Sequence, residues 1–189
     1  MATEELVQLA NGLSCSMPAN SPLAKLLRSQ RTWVGPDAKE RKRILDGAKS
    51  IAIVGMSDKP QRSSYFVGTY LLQSSKYRVY FVNPMVKGEI MGQPVYPDLK
   101  SLPEVPDVID IFRKGSDVPG IIDEILEIGK PVVWVQLGIY NEEAARYGEE
   151  KGLKVVMDKC IKIEHARFDG GLHLLGFDTG VISAKRHAR

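Results

Sequence analysis

The chain has 189 residues, 43% of them hydrophobic, which is enough for one domain with a substantial core plus extensions. Its 26 Lys and Arg residues and 23 Asp and Glu residues give a net charge of only +3, so we expect no nucleic-acid partner. Two cysteines are too few for a disulfide framework, and no apolar run reaches the roughly 18 residues of a membrane span. From the acidic start we expect no secretory leader. We therefore expect a cytoplasmic protein without a membrane partner.

Residues 1–44 are expected to form a helical N-terminal extension. The pattern predicts a short amphipathic helix near residues 4–10, a helix over residues 21–31 and another over residues 36–48. The basic run at residues 41–43 is expected to lie in solvent on the last of these. Two roles remain open for the extension: covering the sheet, or binding a partner protein or a second copy of the chain.

Residues 45–166 alternate between strand and helix patterns. Apolar runs predict strands at residues 51–54, 79–82, 108–112, 132–135 and 154–157, and helical patterns follow at 65–75, 116–129 and 141–152. Such alternation predicts an α/β fold: a doubly wound, mainly parallel, five-stranded Rossmann-like sheet with right-handed crossovers. Residues 167–189 break the alternation, and we expect a partly flexible C-terminal extension there.

The stretch SIAIVGMSDKPQRSS, at residues 50–64, ends the first predicted strand with Gly55 and then begins a helix. Backbone amides in such a loop, together with the positive end of the helix, attract phosphate. Lys59 and Arg62 add full positive charges. The stretch therefore predicts an anion site, with an ordinary strand-to-helix turn as the alternative. The remaining glycines of a dinucleotide fingerprint are missing, and no Walker loop is present.

Residues just beyond parallel strands face one crevice at the carboxyl edge of the sheet. Asn83, Pro84 and Lys87 follow the second strand, where a dinucleotide enzyme would place a carboxylate for the ribose. Lys87 supplies a cation instead, which suits a phosphate-bearing nucleotide. Phe112 and Arg113 follow the third strand and offer a flat apolar face and a planar fork for phosphate.

Two further strand ends add uncharged groups to the same edge. Gln136 follows the fourth strand, where its side chain can hydrogen-bond an amide. Cys160 follows the fifth strand beside Lys159. One hypothesis gives Cys160 a lowered pKa and a reactive thiolate, and the favoured alternative makes it a small buried apolar residue. No Ser/His/Asp or paired-carboxylate arrangement is evident, so no catalytic residue is predicted.

The ordered blocks VGMSDKPQRSSY, VNP, VYPDL, IDIFRK, WVQLGIYNEEAA and VVMDKCIKIEH resemble the small stand-alone CoA-binding domain family over about residues 45–166. That family is similar in fold to the CoA-binding domain of the succinyl-CoA synthetase α subunit. The resemblance implies that coenzyme A or an acyl-CoA lies across the carboxyl ends of the strands.

The resemblance also implies which residues would contact the ligand. The phosphates would meet Gly55, Met56, Ser57 and Arg62; the adenosine portion would meet Val82, Asn83, Pro84 and Lys87; the far side would be lined by Phe112, Arg113 and Val118; the pantetheine arm would face Gln136. The chain departs from the family in having Lys159 where an arginine is usual, and Ser63 where a proline is common.

Three functional hypotheses follow. The first is reversible binding of CoA or acyl-CoA without a self-contained catalytic site. The second is a redox-linked protein in which Cys160 forms a mixed disulfide with the CoA thiol. The third is an NAD(P)-dependent Rossmann enzyme, which the incomplete glycine fingerprint and the missing ribose carboxylate disfavour.

Overall fold

The computed structural model describes residues 4–8, 14–18 and 31–169. The first two segments are strands β1 (Glu4–Gln8) and β2 (Ser14–Pro18), which pair antiparallel. The amphipathic helix predicted near residues 4–10 is therefore wrong. An isolated helix of that length is marginal, because few of its backbone groups find partners within it, whereas a strand pair satisfies them across the ladder. The helix predicted over residues 21–31 falls almost wholly outside the described residues, as does most of the C-terminal extension.

The rest of the described chain alternates between strands and helices. Its helices are α1 (Ala38–Gly47), α2 (Ser63–Ser74), α3 (Val118–Ile128), α4 (Glu142–Glu150) and α5 (Ile161–Asp169). Its strands are β3 (Ser50–Val54), β4 (Arg78–Val82), β5 (Glu89–Ile90), β6 (Gln93–Tyr96), β7 (Val108–Ile111), β8 (Val132–Val135) and β9 (Val155–Val156).

These seven strands form one sheet in the order β5-β6-β4-β3-β7-β8-β9, parallel except for the β5–β6 pair. All five predicted strands are present, which confirms the doubly wound α/β fold, but the predicted count of five is too low. β5 and β6 extend one edge as a short hairpin whose turn, Met91 and Gly92, has positive φ at both residues. Strands this short carry too little periodicity to be recognised in the sequence.

Helices cover both faces of the sheet. α1, α2 and α5 pack on one face with the inward side chains of Ile53 and Trp134, while α3 and α4 pack on the other with those of Ile109 and Val133. Every residue of β3 is buried, as its continuous apolar run requires. α1 covers one face of the sheet, which is one of the two roles left open for the N-terminal extension, and the binding of a partner or a second copy stays a prediction.

Arg41, at the start of the basic run, is buried rather than solvated. Its Nε donates to Glu164 Oε2 of α5 at 2.8 Å, and one terminal nitrogen donates to the carbonyl of Pro36. The prediction that this run lies wholly in solvent is therefore wrong for Arg41, because helix α1 packs that face against α5. The ion pair fastens the N-terminal helix to the last helix of the domain.

The topology places the carboxyl ends of β3, β4, β7, β8 and β9 along one edge of the sheet. The space above this edge is called the crevice below. Among the described residues, no helix has both the length and the apolar character needed to cross a bilayer.

Candidate functional site

The loop after β3 lies between the ends of the two neighbouring strands. Gly55 has φ +86°, and a Cβ at this position would lie 2.9 Å from the carbonyl oxygen of Phe112 and 3.0 Å from Cδ of Arg113. Its N–H donates to the carbonyl of Val82 at 2.9 Å. A glycine is required here because the conformation is left-handed and the next loop approaches closely.

Two serines shape the rest of this loop. The N–H of Ser57 donates to Ser64 Oγ at 3.1 Å, and Ser57 Oγ accepts from the N–H of Lys59 at 3.2 Å. Ser64 is buried, whereas Lys59 is exposed. The loop is thus folded by its own hydroxyl groups and holds its cation outward.

The N-terminus of α2 lacks a side-chain cap. Arg62 occupies the cap position without making a capping hydrogen bond, and the first turn contains no acidic residue. Asp37 and Asn141 cap α1 and α4 by accepting from backbone N–H groups, so α2 differs from both. α3 also lacks a side-chain cap, but a single 3₁₀ turn at Gly115–Asp117 leads directly into it. Uncapped N–H groups of a helix carry partial positive charge and favour an anion.

The end of β4 is joined to the same loop through Asn83. Its Nδ2 donates to the carbonyl of Met56 at 2.6 Å, and its Oδ1 accepts from the N–H of Met85 at 2.9 Å. The side chain of Met56 is fully buried in the core, so only its backbone lies near the crevice. Pro84 and Lys87 are exposed beside Asn83.

The end of β7 contributes one aromatic and one cationic side chain. Phe112 is half-buried, and Arg113 is exposed with its Nε 3.3 Å from Asp117 Oδ2. Val82 and Val118, by contrast, are buried in the core below. These two valines support the walls, and their side chains are not available at the surface of the crevice.

Gln136 at the end of β8 is buried and paired with a residue that the sequence analysis did not single out. Its Nε2 lies 2.9 Å from both carboxyl oxygens of Asp110, which is 0% exposed. Burial raises the pKa of the Asp110 carboxyl well above its ordinary value, and the hydrogen bond from Gln136 opposes that rise. An acidic residue within the apolar run of residues 108–112 was the available signal.

The loops after β8 and β9 are tied together by Asp158. This residue has φ +56°, and its Oδ1 accepts from the N–H of Gly138 at 2.7 Å. Its Oδ2 accepts from Arg31 Nη1 at 2.7 Å, and the Arg31 guanidinium lies 3.9 Å from the ring centre of Tyr140. Thr32 hydrogen-bonds to the first turn of α4. The segment before α1 therefore reaches the crevice, a contact that no sequence pattern indicated.

Cys160 lies directly before α5 and is partly buried against the core. Burial raises the pKa of its thiol, although hydrogen bonds from the N–H groups of Ile163 and Lys162 act in the opposite direction. The hypothesis of a lowered pKa is therefore wrong, because desolvation outweighs the helix N-terminus. The structure supports the alternative of a small, partly buried residue.

Unpaired cations and exposed apolar side chains surround the crevice. Within residues 31–169, the cations that form no ion pair include Lys59, Arg62, Lys87 and Lys159. The exposed apolar side chains are Phe66, Met85 and Leu137, at 58%, 86% and 59% exposure. Sequence reasoning missed these three, although each is an apolar residue in or beside a predicted loop. In the same part of the chain, no group of three or more His, Cys, Asp or Glu side chains is arranged to hold a metal ion.

Comparison with known proteins gives relatives that match most of the domain. The chain is 40% identical over 131 residues to the uncharacterized protein YneT of Bacillus subtilis (strain 168), covering 69% of this chain and 96% of that protein. A solved hypothetical protein from Pyrococcus horikoshii OT3 superimposes with a TM-score of 0.67 at 36% identity, covering 72% of this chain and 94% of the other.

A more distant match is a domain of a larger enzyme. The dinucleotide forming Acetyl-coenzyme A synthetase 1 of Ca. Korarchaeum cryptofilum, in its apo form, aligns with a TM-score of 0.52 at 26% identity. The match covers 61% of this chain but only 27% of that enzyme. The family model for the CoA binding domain matches residues 49–166, the same part of the chain that builds the sheet and the crevice. This chain therefore belongs to the CoA-binding domain family.

Proposed function

We propose that the protein binds coenzyme A or an acyl-CoA reversibly in the crevice, with the diphosphate at the loop of residues 55–62. The observation that carries this proposal is the N-terminus of α2, which follows the positive-φ glycine and lacks both a side-chain cap and an acidic residue in its first turn. A phosphate group would satisfy these N–H groups and interact favourably with the helix dipole.

Charge complementarity supports the same ligand. Coenzyme A carries a diphosphate and a 3′-phosphate, and together these bring about four negative charges near neutral pH. The crevice offers Lys59, Arg62, Lys87, Arg113 and Lys159. Only Arg113 has an ion-pair partner within residues 31–169, and that pair is exposed and therefore weak. Arg113 would therefore lose little interaction energy if a phosphate of the ligand replaced Asp117 as its partner.

The uncharged parts of the ligand also have matching surfaces. The exposed side chains of Phe66, Met85 and Leu137, with the half-buried ring of Phe112, provide apolar area for the adenine ring and the pantetheine arm. Gln136 provides an amide for the arm. Binding would remove these apolar side chains from water, which is favourable.

The protein holds its ligand without performing chemistry on it in this proposal. Cys160 has a raised thiol pKa, which lowers its thiolate fraction near neutral pH and disfavours the mixed-disulfide hypothesis. The family assignment does not favour the NAD(P) hypothesis. The cytoplasmic location, the absence of nucleic-acid partners and the oligomeric state remain predictions.

Isothermal titration calorimetry tests the proposal. We expect CoA to bind the native protein, and Arg62→Ala to weaken binding about 10- to 100-fold through loss of a charged hydrogen bond. Dephospho-CoA should bind more weakly than CoA, because one phosphate is missing. Arg78→Ala is the matched control, since Arg78 is an exposed arginine at the opposite, amino-terminal edge of the sheet. Absence of heat with both CoA and acetyl-CoA would remove the proposal.

A further inference from the structure

Asp110 and Gln136 form a buried polar pair below the crevice. Asp110 pairs in register with Trp134 of β8, and Gln136 is two residues beyond Trp134, so all three side chains are on the same face of the sheet. This is the face that α5 covers, where Cys160 also packs. The pair is therefore enclosed between the sheet and the beginning of α5.

The hydrogen bonds of Gln136 leave one atom without a protein partner. Its backbone N–H donates to the carbonyl of Ile111 at 3.3 Å, and its own carbonyl accepts from the N–H of Ile139 at 3.0 Å. Its Nε2 is directed at both oxygens of Asp110. Within residues 31–169, the side-chain oxygen Oε1 accepts no hydrogen bond, although the residue is only 4% exposed.

A buried amide oxygen without a donor costs free energy unless water or a ligand supplies one. Gln136 Oε1 is not completely enclosed by protein atoms, because it is absent from the fully buried side-chain atoms without a partner. It is situated at the carboxyl end of β8, which borders the crevice. Because Nε2 is directed at both carboxyl oxygens of Asp110, Oε1 lies on the side of the amide that faces away from Asp110.

We propose that Asp110 is a positioning residue: it orients the Gln136 amide so that the crevice presents a hydrogen-bond acceptor to an amide N–H of the pantetheine arm. The inference rests on the proposed function, and it adds that the floor of the crevice recognises the pantetheine arm of the ligand. In CoA, the pantetheine arm carries two amide N–H donors, whereas the phosphates of the nucleotide portion are acceptors near neutral pH. An acceptor in the floor of the crevice therefore suits the arm rather than the phosphates, and a ligand that keeps the adenine amino group but lacks the arm separates the arm from the base.

The energetics of Asp110 point in the same direction. A fully buried carboxyl group with no cation beside it, as is the case for Asp110 among the described residues, costs stability through desolvation. An apolar residue would fill this position in the strand at lower cost. A carboxyl group at this position differs from an apolar residue in that it can contribute to ligand binding.

The test compares two ligands on three variants by calorimetry. The ligands are CoA and adenosine 3′,5′-bisphosphate, which has the nucleotide portion but lacks the pantetheine arm. Asp110→Val removes both acceptors for Nε2 and should weaken CoA binding about 10-fold, equivalent to about 1.4 kcal/mol. Asp110→Asn retains one carbonyl acceptor and should restore CoA affinity to within about 3-fold of the native value. Binding of the bisphosphate should not change in either variant.

A double-variant cycle separates positioning from a general structural effect. Gln136→Met should weaken CoA binding by itself, and adding Asp110→Val to it should weaken binding no further, because Asp110 acts only through Gln136. Native CoA affinity in folded Asp110→Val, or an equal loss of bisphosphate binding, overturns the inference. If Asp110→Val does not fold, the Gln136→Met variant is used by itself, and unchanged CoA affinity in that variant also overturns the inference. Failure of the native protein to bind CoA would instead refute the proposed function.

Discussion

Replacing Gly55 by alanine tests whether the loop after β3 depends on close contact with the loop after β7. The added Cβ would lie 2.9 Å from the carbonyl oxygen of Phe112, a separation that real Cβ atoms essentially never show. The contact is with backbone, so it cannot be relieved by rotating a flexible side chain. One of the two loops that form the crevice must therefore move.

The expected magnitude has two parts. The left-handed conformation at φ +86° costs an alanine about 1–2 kcal/mol. Crowding in a well-packed position adds about 1–3 kcal/mol. The sum is a loss of about 2–5 kcal/mol in the free energy of unfolding. At about 2–4 °C per kcal/mol for a chain of this size, the melting temperature should fall by about 4–20 °C.

Gly88→Ala provides the matched control. Gly88 also has positive φ, at +90°, but a Cβ there would meet nothing within 4 Å. This variant pays the conformational cost alone, so the difference between the two variants isolates the contact with Phe112. Differential scanning calorimetry measures the stability of both, and titration with CoA measures the effect on the crevice.

Equal melting temperatures for the two alanine variants would refute the reasoning, because the contact at Gly55 would then contribute nothing. We also expect CoA affinity to fall for Gly55→Ala and to stay near the native value for Gly88→Ala. A reversed order would show that the loop of residues 55–62 is not the part of the crevice that the ligand meets.

Three further predictions concern the buried polar groups. Arg41→Ala should reduce the free energy of unfolding by about 2–4 kcal/mol in urea denaturation, because it leaves Glu164 buried without its main partner. Substitution of the exposed Arg43 by alanine should change the free energy of unfolding little, and similar losses in the two variants would contradict the role of the buried pair. Iodoacetamide should alkylate Cys160 at pH 7.5 more slowly in the folded protein than in the unfolded chain, since burial raises its thiol pKa, and faster labelling followed by peptide mass spectrometry would contradict this. The pKa of Asp110 is raised on folding, so the stability that its protonated form contributes is fully present below the unfolded pKa of about 4 and is lost as pH rises toward the folded pKa. Asp110→Asn should therefore gain stability relative to the native protein between about pH 4 and pH 8. A difference in free energy of unfolding that does not change with pH would contradict this.

The central part of the fold could be predicted because its signals are local. The β-branched run of β3 and the helical patterns over residues 36–48 and 141–152 follow from propensity and periodicity within a few residues of the chain. β5 and β6 were missed because each forms only by pairing with its neighbour. Arg41 was misplaced because its burial depends on α5, which is more than a hundred residues later in the sequence.

The candidate site divides in the same way. Gly55, Asn83, Phe112, Arg113 and Gln136 were expected at the crevice, since parallel strands bring their carboxyl ends to one edge. What each side chain does there could not be predicted. The bond from Asn83 to the backbone of Met56 and the one from Gln136 to Asp110 require two strands to be aligned in register, and no pattern within one strand encodes that alignment.

By itself, the sequence determined the order of the five central strands and of the helices between them, the glycine turn after the first of these strands and the set of cations near it, because these depend on neighbouring residues and on one topological rule. Only the tertiary structure decided which polar groups are exposed and which are buried. It placed Asp110 beneath the crevice, raised the pKa of Cys160 and brought Arg31 to Asp158, since burial and long-range pairing arise only when distant segments pack together.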